Sequence, residues 1–311
     1  MVLNLITVLL ATYNGEKFLT EQLRSLLGQT FENFKILIRD DGSTDGTVSV
    51  INDFIKDYPQ KIALLNDRIP TGSSAGNFFK LMAAADDDYI MLCDQDDFWL
   101  PEKIEKTYAK MQELEARFGD IPLLVHSDLS VVDASLKTIN PSFFEFQKIS
   151  PERDKLNNLL AQNNLTGCTA MFNRKLLNLA KIEPVDCAMH DWWIALLAAL
   201  FGKTGYIREP LILYRQHGGN KVGAKSAAGL GFVKRKIEER KQTAQNYRSA
   251  FFQAAELLRI YGDRMTDSQA ETVKAYASLE NLSKLQKIKI INKYDFKKNT
   301  LIRNIGQYIL I

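Results

Sequence analysis

Along this chain, short apolar runs alternate with stretches whose apolar residues recur every three or four positions, the pattern of strands interleaved with amphipathic helices. Residues 5–10 form a strand-length run, and Phe18, Leu19, Leu23, Leu26 and Leu27 then keep helical spacing up to Gly28, a predicted stop. Residues 34–38 predict a second strand, followed by a helix carrying Val48, Ile51, Phe54 and Ile55. A strand at 62–65, a helix at 78–85, a strand at 89–93 and a helix on Ile104, Tyr108, Met111 and Leu114 continue the series. Strands separated by helices of this length build βαβ units, so the expected fold is α/β with a Rossmann-like, mixed but mainly parallel sheet flanked by helices.

From Pro122 to Tyr214 the pattern reads as strands with short helices, including an apolar helix at 192–201 and a strand at 211–214. Gly218, Gly219 and the stretch 223–231 mark a boundary. The expected domains are therefore 1–222, carrying the chemistry, and 223–311, helical and basic. Phe251, Phe252, Ala255, Leu258 and Ile260 are the expected apolar stripe of that tail.

Bulk properties narrow the class without choosing within it. With 311 residues, 46% hydrophobic and 25% charged, the chain has the composition of a globular protein with a sizeable core. Cys93, Cys168 and Cys187 are odd in number and lack metal-ligand spacing, which fits a reducing compartment. The opening MVLNLITVLLA has no basic flank and reads as a first strand; the apolar run 192–201 is about half a membrane span. A cytoplasmic protein, peripheral at most to the inner face of the membrane, is the expectation. The net charge of +3 hides an asymmetry: from Gly231 onward 16 Lys and Arg face 8 Asp and Glu, leaving 24 against 29 before it. A basic tail of this kind invites an anionic surface such as lipid, or serves a homodimer interface; nothing points to nucleic acid.

Candidate chemistry gathers at the carboxyl ends of the predicted strands, where α/β sheets bind ligands. Thr12, Tyr13 and Asn14 follow the first strand, Asp40 and Asp41 the second, and Asp94, Gln95, Asp96 and Asp97 the fourth. Carboxylates this dense repel one another unless a cation neutralises them, and hard oxygen ligands suit Mg2+ or Mn2+ shared with a diphosphate. The plainer reading is an acidic turn capping the helix near Pro101. Neither GxGxxG nor GxxxxGK[ST] follows the first strand, so the common phosphate cradles are absent.

Five ordered motifs, LLATYNGEKFLTEQLRSLLGQT, IRDDGSTDGT, CDQDDFWLPEKI, MHDWW and YRQHGGN, together resemble bacterial family 2 glycosyltransferases of the GT-A-type fold over residues 3–220. The last two are similar to rhamnosyltransferases that build cell-wall or O-antigen polysaccharide. The resemblance implies a metal-dependent, inverting transfer of a sugar, L-rhamnose from dTDP-rhamnose, to a hydroxyl of a growing polysaccharide or lipid-linked glycan. Asp191 becomes the general base, in a helix start that keeps a carboxylate ionised. Asp96 is matched to the metal, with His217 as a further metal or diphosphate contact. Donor binding falls to Thr12, Tyr13, Asn14, Asp40, Asn77, Asp94, Gln95 and Arg215: Tyr13 stacking on the base, Asp40 accepting from its imide, Asp94 facing the ribose or sugar, Arg215 meeting the diphosphate. Thr166, Gly167, Trp192 and Trp193 would line the acceptor site, although Trp193 also fits a core position. Asp41 reads as an organiser of the DGSTDGT loop, Asp97 as a helix cap, His190 as a positioning or backbone-bonded neighbour and His126 as an ordinary satisfied polar group. A UDP-hexose donor is the alternative within the class. A nucleotidyltransferase would need a basic Gly-rich loop where ATYNGEKF stands, and a non-catalytic nucleotide- or carbohydrate-binding module should have lost Asp191 or the DxD.

Overall fold

A computed structural model describes residues 5–67, 69–218 and 240–311, with Arg240 described by its backbone only. The boundary expected at 222/223, and Gly219 and Asn220 of the last motif, lie outside these residues. The strands are β1 Ile6–Thr12, β2 Phe34–Asp40, β3 Ile62–Leu64, β4 Tyr89–Cys93, β5 Phe98–Trp99, β6 Leu123–Val132, β7 Thr138–Asn140, β8 Met171–Asn173 and β9 Lys203–Arg215. Helices α1 Glu16–Leu27, α2 Thr47–Asp57, α3 Ser74–Ala84, α4 Lys103–Phe118, α5 Phe143–Gln147, α6 Leu156–Ala161, α7 Arg174–Ala180 and α8 His190–Phe201 intervene or follow. The C-terminal helices are α9 Arg240–Tyr261, α10 Asp267–Ala277, α11 Lys284–Lys293 and α12 Leu301–Leu310.

Packing divides the chain into two units. The first comprises Met1–Phe143, Leu165–Ile182 and Phe201–Ala224 and contains the whole sheet, in the order β3-β2-β1-β4-β8-β6-β9-β5, with β7 on β6. β3, β2, β1 and β4 are mutually parallel, as the βαβ spacing predicts. β8 then runs antiparallel between β4 and β6, so the sheet is mixed. β1 and β4 are covered on both faces, and their unbroken apolar runs are the sequence trace of that burial. One pairing matters most for the site: Phe98 aligns with Leu213 and Trp99 with Ile212, tying the segment after the acidic turn to the end of β9.

His126 lies buried in β6. Burial pushes its imidazole from the ordinary 6.5 down to about 4. The unfolded chain therefore takes up a proton that the native chain refuses. The stability this supplies is complete above pH 6.5 and drains as pH falls toward 4, by about 3 kcal/mol. In urea titrations across this window, the wild type should lose about that much more stability than His126→Gln; parallel losses would mean that His126 titrates normally.

The second unit comprises Phe144–Asn164, Glu183–Leu200 and Lys225–Ile311. Helix α8 packs among the C-terminal helices: the Trp193 and Tyr261 rings lie 6.2 Å apart, and Gln269 Nε2 donates to the Leu200 carbonyl at 2.7 Å. The stripe expected on α9 is corrected. Its buried side runs through Tyr247, Phe251, Ala254, Leu257 and Tyr261, whereas Phe252 is exposed. At helical spacing Phe252 and Ala255 fall on the side away from the series built on Phe251, and both are exposed. No helix among the described residues is long and apolar enough to cross a membrane.

Candidate active site

In the first unit, three loops meet at the carboxyl ends of β1, β2 and β4. Asp40 closes its own loop: Oδ2 accepts from the Gly42 and Ser43 N–H groups at 3.1 and 2.8 Å, and Oδ1 accepts from Ser43 Oγ and, at 2.9 Å, Thr12 Oγ1. Gly42, with φ of 89°, takes the left-handed turn that this loop requires. Asn14 is also left-handed, φ 47°, and its side-chain oxygen accepts from Thr44 N at 2.8 Å. Tyr13 stands out from the rim with 56% of its surface exposed. Its backbone is clasped by one side chain: Tyr13 N donates to Gln95 Oε1 at 2.8 Å, and Gln95 Nε2 donates to the Tyr13 carbonyl at 2.9 Å. A Cβ on Gly15 would come within 2.2 Å of that Gln95 oxygen, so glycine is the residue that lets the clasp close. Gln95, expected at the donor, thus also fixes the backbone of Tyr13, whose ring was expected to stack on the base.

Beneath the rim lies a buried network. Arg39 donates from Nη1 to Asp41 Oδ1 at 2.8 Å and to Asn77 Oδ1 at 2.9 Å, and Asn77 Nδ2 donates to the Thr12 carbonyl at 3.2 Å. Asp41 also accepts from Thr71 N and Gly72 N. Burial alone would raise its pKa, but the hydrogen bonds from Thr71, Arg39 and Gly72 together hold it below the usual carboxylate range. Asp41, expected to organise the DGSTDGT loop, instead holds the Thr71–Gly72 turn, and it is Asp40 that bonds Gly42 and Ser43 of that loop. Asn77 is buried and serves as a strut between β1 and β2 in place of the expected donor contact.

The acidic turn brings together residues that lie 121 apart in sequence: Asp96 Oδ2 and His217 Nε2 are 2.8 Å apart, both side chains partly exposed. His217 also packs on Phe18, with ring centroids 4.6 Å apart. The expectation that Arg215 faces a diphosphate is corrected. Its guanidinium is buried, donating to the Glu21 carboxylate, to the Ala134 carbonyl at 2.6 Å and to the Asp96 carbonyl at 2.8 Å. It therefore holds the acidic turn in place. Asp97 is no helix cap either, because α4 begins at Lys103 with Glu102 at its N-cap. It is fully buried and accepts from Arg215 N at 3.1 Å. Burial, then the charges of Asp96 and Asp94, pushes its carboxyl well above the usual range.

Two donor sets are thus available to a cation. Asp94, Asp97 and Cys168 offer atoms within 4.8 Å of one another, but burial holds both the Asp97 carboxyl and the Cys168 thiol toward their protonated forms. Asp96 and His217 offer a hard oxygen and an imidazole nitrogen at a partly exposed rim, with Asp94 two residues away in the same turn. The second set is the better fit to a divalent ion entering from solvent. Lys103, missed by the sequence reading, is buried behind the turn with its ammonium 4.1 Å from the Trp99 ring; burial lowers its pKa to about 8. The signal was its place on the buried stripe of α4 with Thr107 and Met111.

In the second unit, Asp191 lies in the first turn of α8, nearly buried. Its Oδ1 accepts from Asn163 Nδ2 at 3.1 Å and Trp192 N at 2.6 Å. Asn163 is a second residue that the sequence reading left without a role. Trp192 is half-buried, and its indole N–H donates to the Leu159 carbonyl at 2.6 Å. Trp193 is wholly buried, the core alternative already weighed for it. Thr166 and Gly167 belong to the first unit, at the entrance to the short helical turn Gly167–Thr169 that leads into β8.

Comparison with known proteins gives the family and the fold. The family model described as Glycosyl transferase family 2 matches residues 7–179. The dTDP-rhamnosyl transferase RfbG of Shigella flexneri is 30% identical over 226 residues, 69% of this chain and 74% of that protein. The Escherichia coli protein WfgD, named as a UDP-Glc:alpha-D-GlcNAc-diphosphoundecaprenol beta-1,3-glucosyltransferase, is 25% identical over 193 residues, 62% of this chain and 70% of that one. Among solved structures, S. aureus TarS 1-349 in complex with UDP-GlcNAc superposes with a TM-score of 0.57 at 17% identity, over 93% of this chain and 80% of that one, a likeness of fold.

Proposed function

The chain belongs to glycosyl transferase family 2, and from that premise we propose that it moves L-rhamnose from dTDP-rhamnose, with inversion and with help from a divalent metal, onto a hydroxyl of a surface polysaccharide or lipid-linked glycan. That it is a glycosyltransferase of GT-A-type fold follows from family and fold together. The observation that supports the metal is the Asp96–His217 pair, set in the rim that also presents the exposed Tyr13 ring, and the likeness to RfbG supports rhamnose.

In this reading Tyr13 stacks on the thymine ring, its backbone held in place by Gln95. Asp40 accepts from the base imide by taking over a site now used by the Ser43 or Thr12 hydroxyl, both of which can rotate. Asp94 meets the ribose or the sugar, and Arg215 positions the acidic turn from behind. Asp96 and His217 would hold Mg2+ or Mn2+, which supplies Lewis-acid neutralisation of the diphosphate charge. Asp191 takes the proton of the acceptor hydroxyl as its oxygen bonds to the anomeric carbon and the nucleoside diphosphate departs with the electrons of the broken C–O bond. Trp192, Thr166 and Gly167 are assigned to acceptor binding. A lipid-linked acceptor would call for work at the inner face of the membrane.

The donor is tested by measuring nucleoside diphosphate release from dTDP-rhamnose, UDP-glucose and UDP-GlcNAc with a glycan acceptor and Mn2+. Turnover of dTDP-rhamnose should exceed that of the UDP sugars by at least about tenfold. A UDP sugar turned over faster would replace rhamnose with a hexose, the donor class in the WfgD name. Release from none of the three would defeat the proposal.

A further inference from the structure

Helix α12 is packed inside out. Its buried side is polar: Gln307 is 1% exposed and donates from Nε2 to the Phe296 carbonyl at 3.0 Å, Asn304 Oδ1 accepts from Lys298 N at 2.7 Å, and Arg303 Nη2 donates to the Gln147 carbonyl at 2.7 Å. The apolar residues face the other way. Leu301, Ile305 and Ile309 recur every fourth residue, with Ile302 beside them, and are 75%, 50%, 60% and 42% exposed in that order of mention. Leu285 of α11 adds another aliphatic side chain, 81% exposed, and the neighbouring Lys284 donates to the Ile309 carbonyl at 2.9 Å, which joins the two helices at that end. Single exposed aliphatics are ordinary, whereas an aligned row on a helix whose polar side is already used inward marks a surface meant to be covered.

Charge selects the cover. Residues 282–311 hold seven Lys and Arg and a single acid, Asp295, which pairs with Lys297. A second copy would set the same basic rim against itself. The segment 219–239 is also basic, with five Lys and Arg against two Glu. An apolar stripe framed by lysines fits instead the boundary between anionic headgroups and acyl chains.

We propose that the outward face of α12, with Leu285, docks on an anionic lipid bilayer. The isoleucines enter the headgroup boundary, and Lys284 and Lys289, both exposed, meet the phosphates.

The full chain is floated with vesicles of phosphatidylcholine alone or mixed with phosphatidylglycerol, with no donor or acceptor present, so the result is independent of the sugar transferred. The wild type should rise with the mixed vesicles and stay behind with phosphatidylcholine, and added salt should weaken the association. Combining Ile305→Glu with Ile309→Glu, two changes at solvent-facing positions whose folding is checked by circular dichroism, should cut partitioning by at least about tenfold. Lys289→Glu should cut it about fivefold or more. The proposal is overturned if the wild type ignores anionic vesicles, or if the folded double variant floats as well as the wild type. It is also overturned if the double variant turns a dimer into a monomer by light scattering while flotation is unchanged, because a second copy would then own the face.

Discussion

Asp191→Asn is expected to lower the rate of sugar transfer by about 10³-fold while leaving donor affinity within about twofold of the wild type. The substitution is chosen because it preserves shape and contacts. An asparagine oxygen can still accept from Asn163 Nδ2 and Trp192 N, the two donors that hold the carboxylate. What it removes is basicity, and an amide cannot take a proton from a sugar hydroxyl. Transfer rate and nucleotide affinity, measured separately, decide the matter. A variant that retains more than about a tenth of the activity would show that the proton leaves by another route. One that no longer binds nucleotide would show that Asp191 serves binding instead. Asn163→Ala should give a milder loss, because Asn163 touches the carboxylate without taking the proton.

The second large effect is expected from removing the cation or its holder. EDTA should lower transfer by at least about 10²-fold, and Mn2+ should restore it. Asp96→Asn should do the same without rescue, since an amide oxygen is a much weaker ligand than a carboxylate. An independent readout is thermal melting with dTDP: Mn2+ should add to the stabilisation by nucleotide in the wild type and add nothing in Asp96→Asn. His217→Ala should weaken that increment as well, because its imidazole lies 2.8 Å from the Asp96 oxygen. Transfer indifferent to EDTA would remove the metal from the mechanism and leave Asp96–His217 as a hydrogen bond. Arg215→Ala is a useful contrast: it should lower stability as well as activity, because the buried guanidinium's contact with Glu21 and its hold on the acidic turn go together.

Most of the three βαβ units that join β1 to β4 was legible from periodicity. The strand at Tyr89–Cys93 agrees to the residue, and the helix predicted to end before Gly28 does so. β1 and β4 are buried on both faces, so apolar run length reports them directly. The second half was read more coarsely. β8 is only three residues long and runs antiparallel, and no local pattern announces which strands a short segment will pair. The same holds for candidate site residues. Asp96 and His217 stood out as residue types in suggestive motifs, but their meeting depends on β5 pairing with β9, more than a hundred residues downstream.

Side-chain direction is where the two sources part. The sequence by itself determined the strand–helix alternation, the rim on which the acidic and aromatic residues gather, and the basic excess of the tail. These follow from spacing and residue chemistry, which every unfolded copy of the chain already carries. Only the tertiary structure decided that Arg215 and Asn77 turn inward as struts, that Asp97 lies buried behind Asp96, that Trp193 belongs to the core, and that α12 shows its isoleucines to solvent. Periodicity reveals that a helix has two unlike sides, but which side faces in is set by neighbours. For α12, the Phe296 carbonyl, the Lys298 amide and the Gln147 carbonyl offer hydrogen bonds to the polar side, and leaving those partners buried and unmet would cost more than exposing a row of aliphatic side chains.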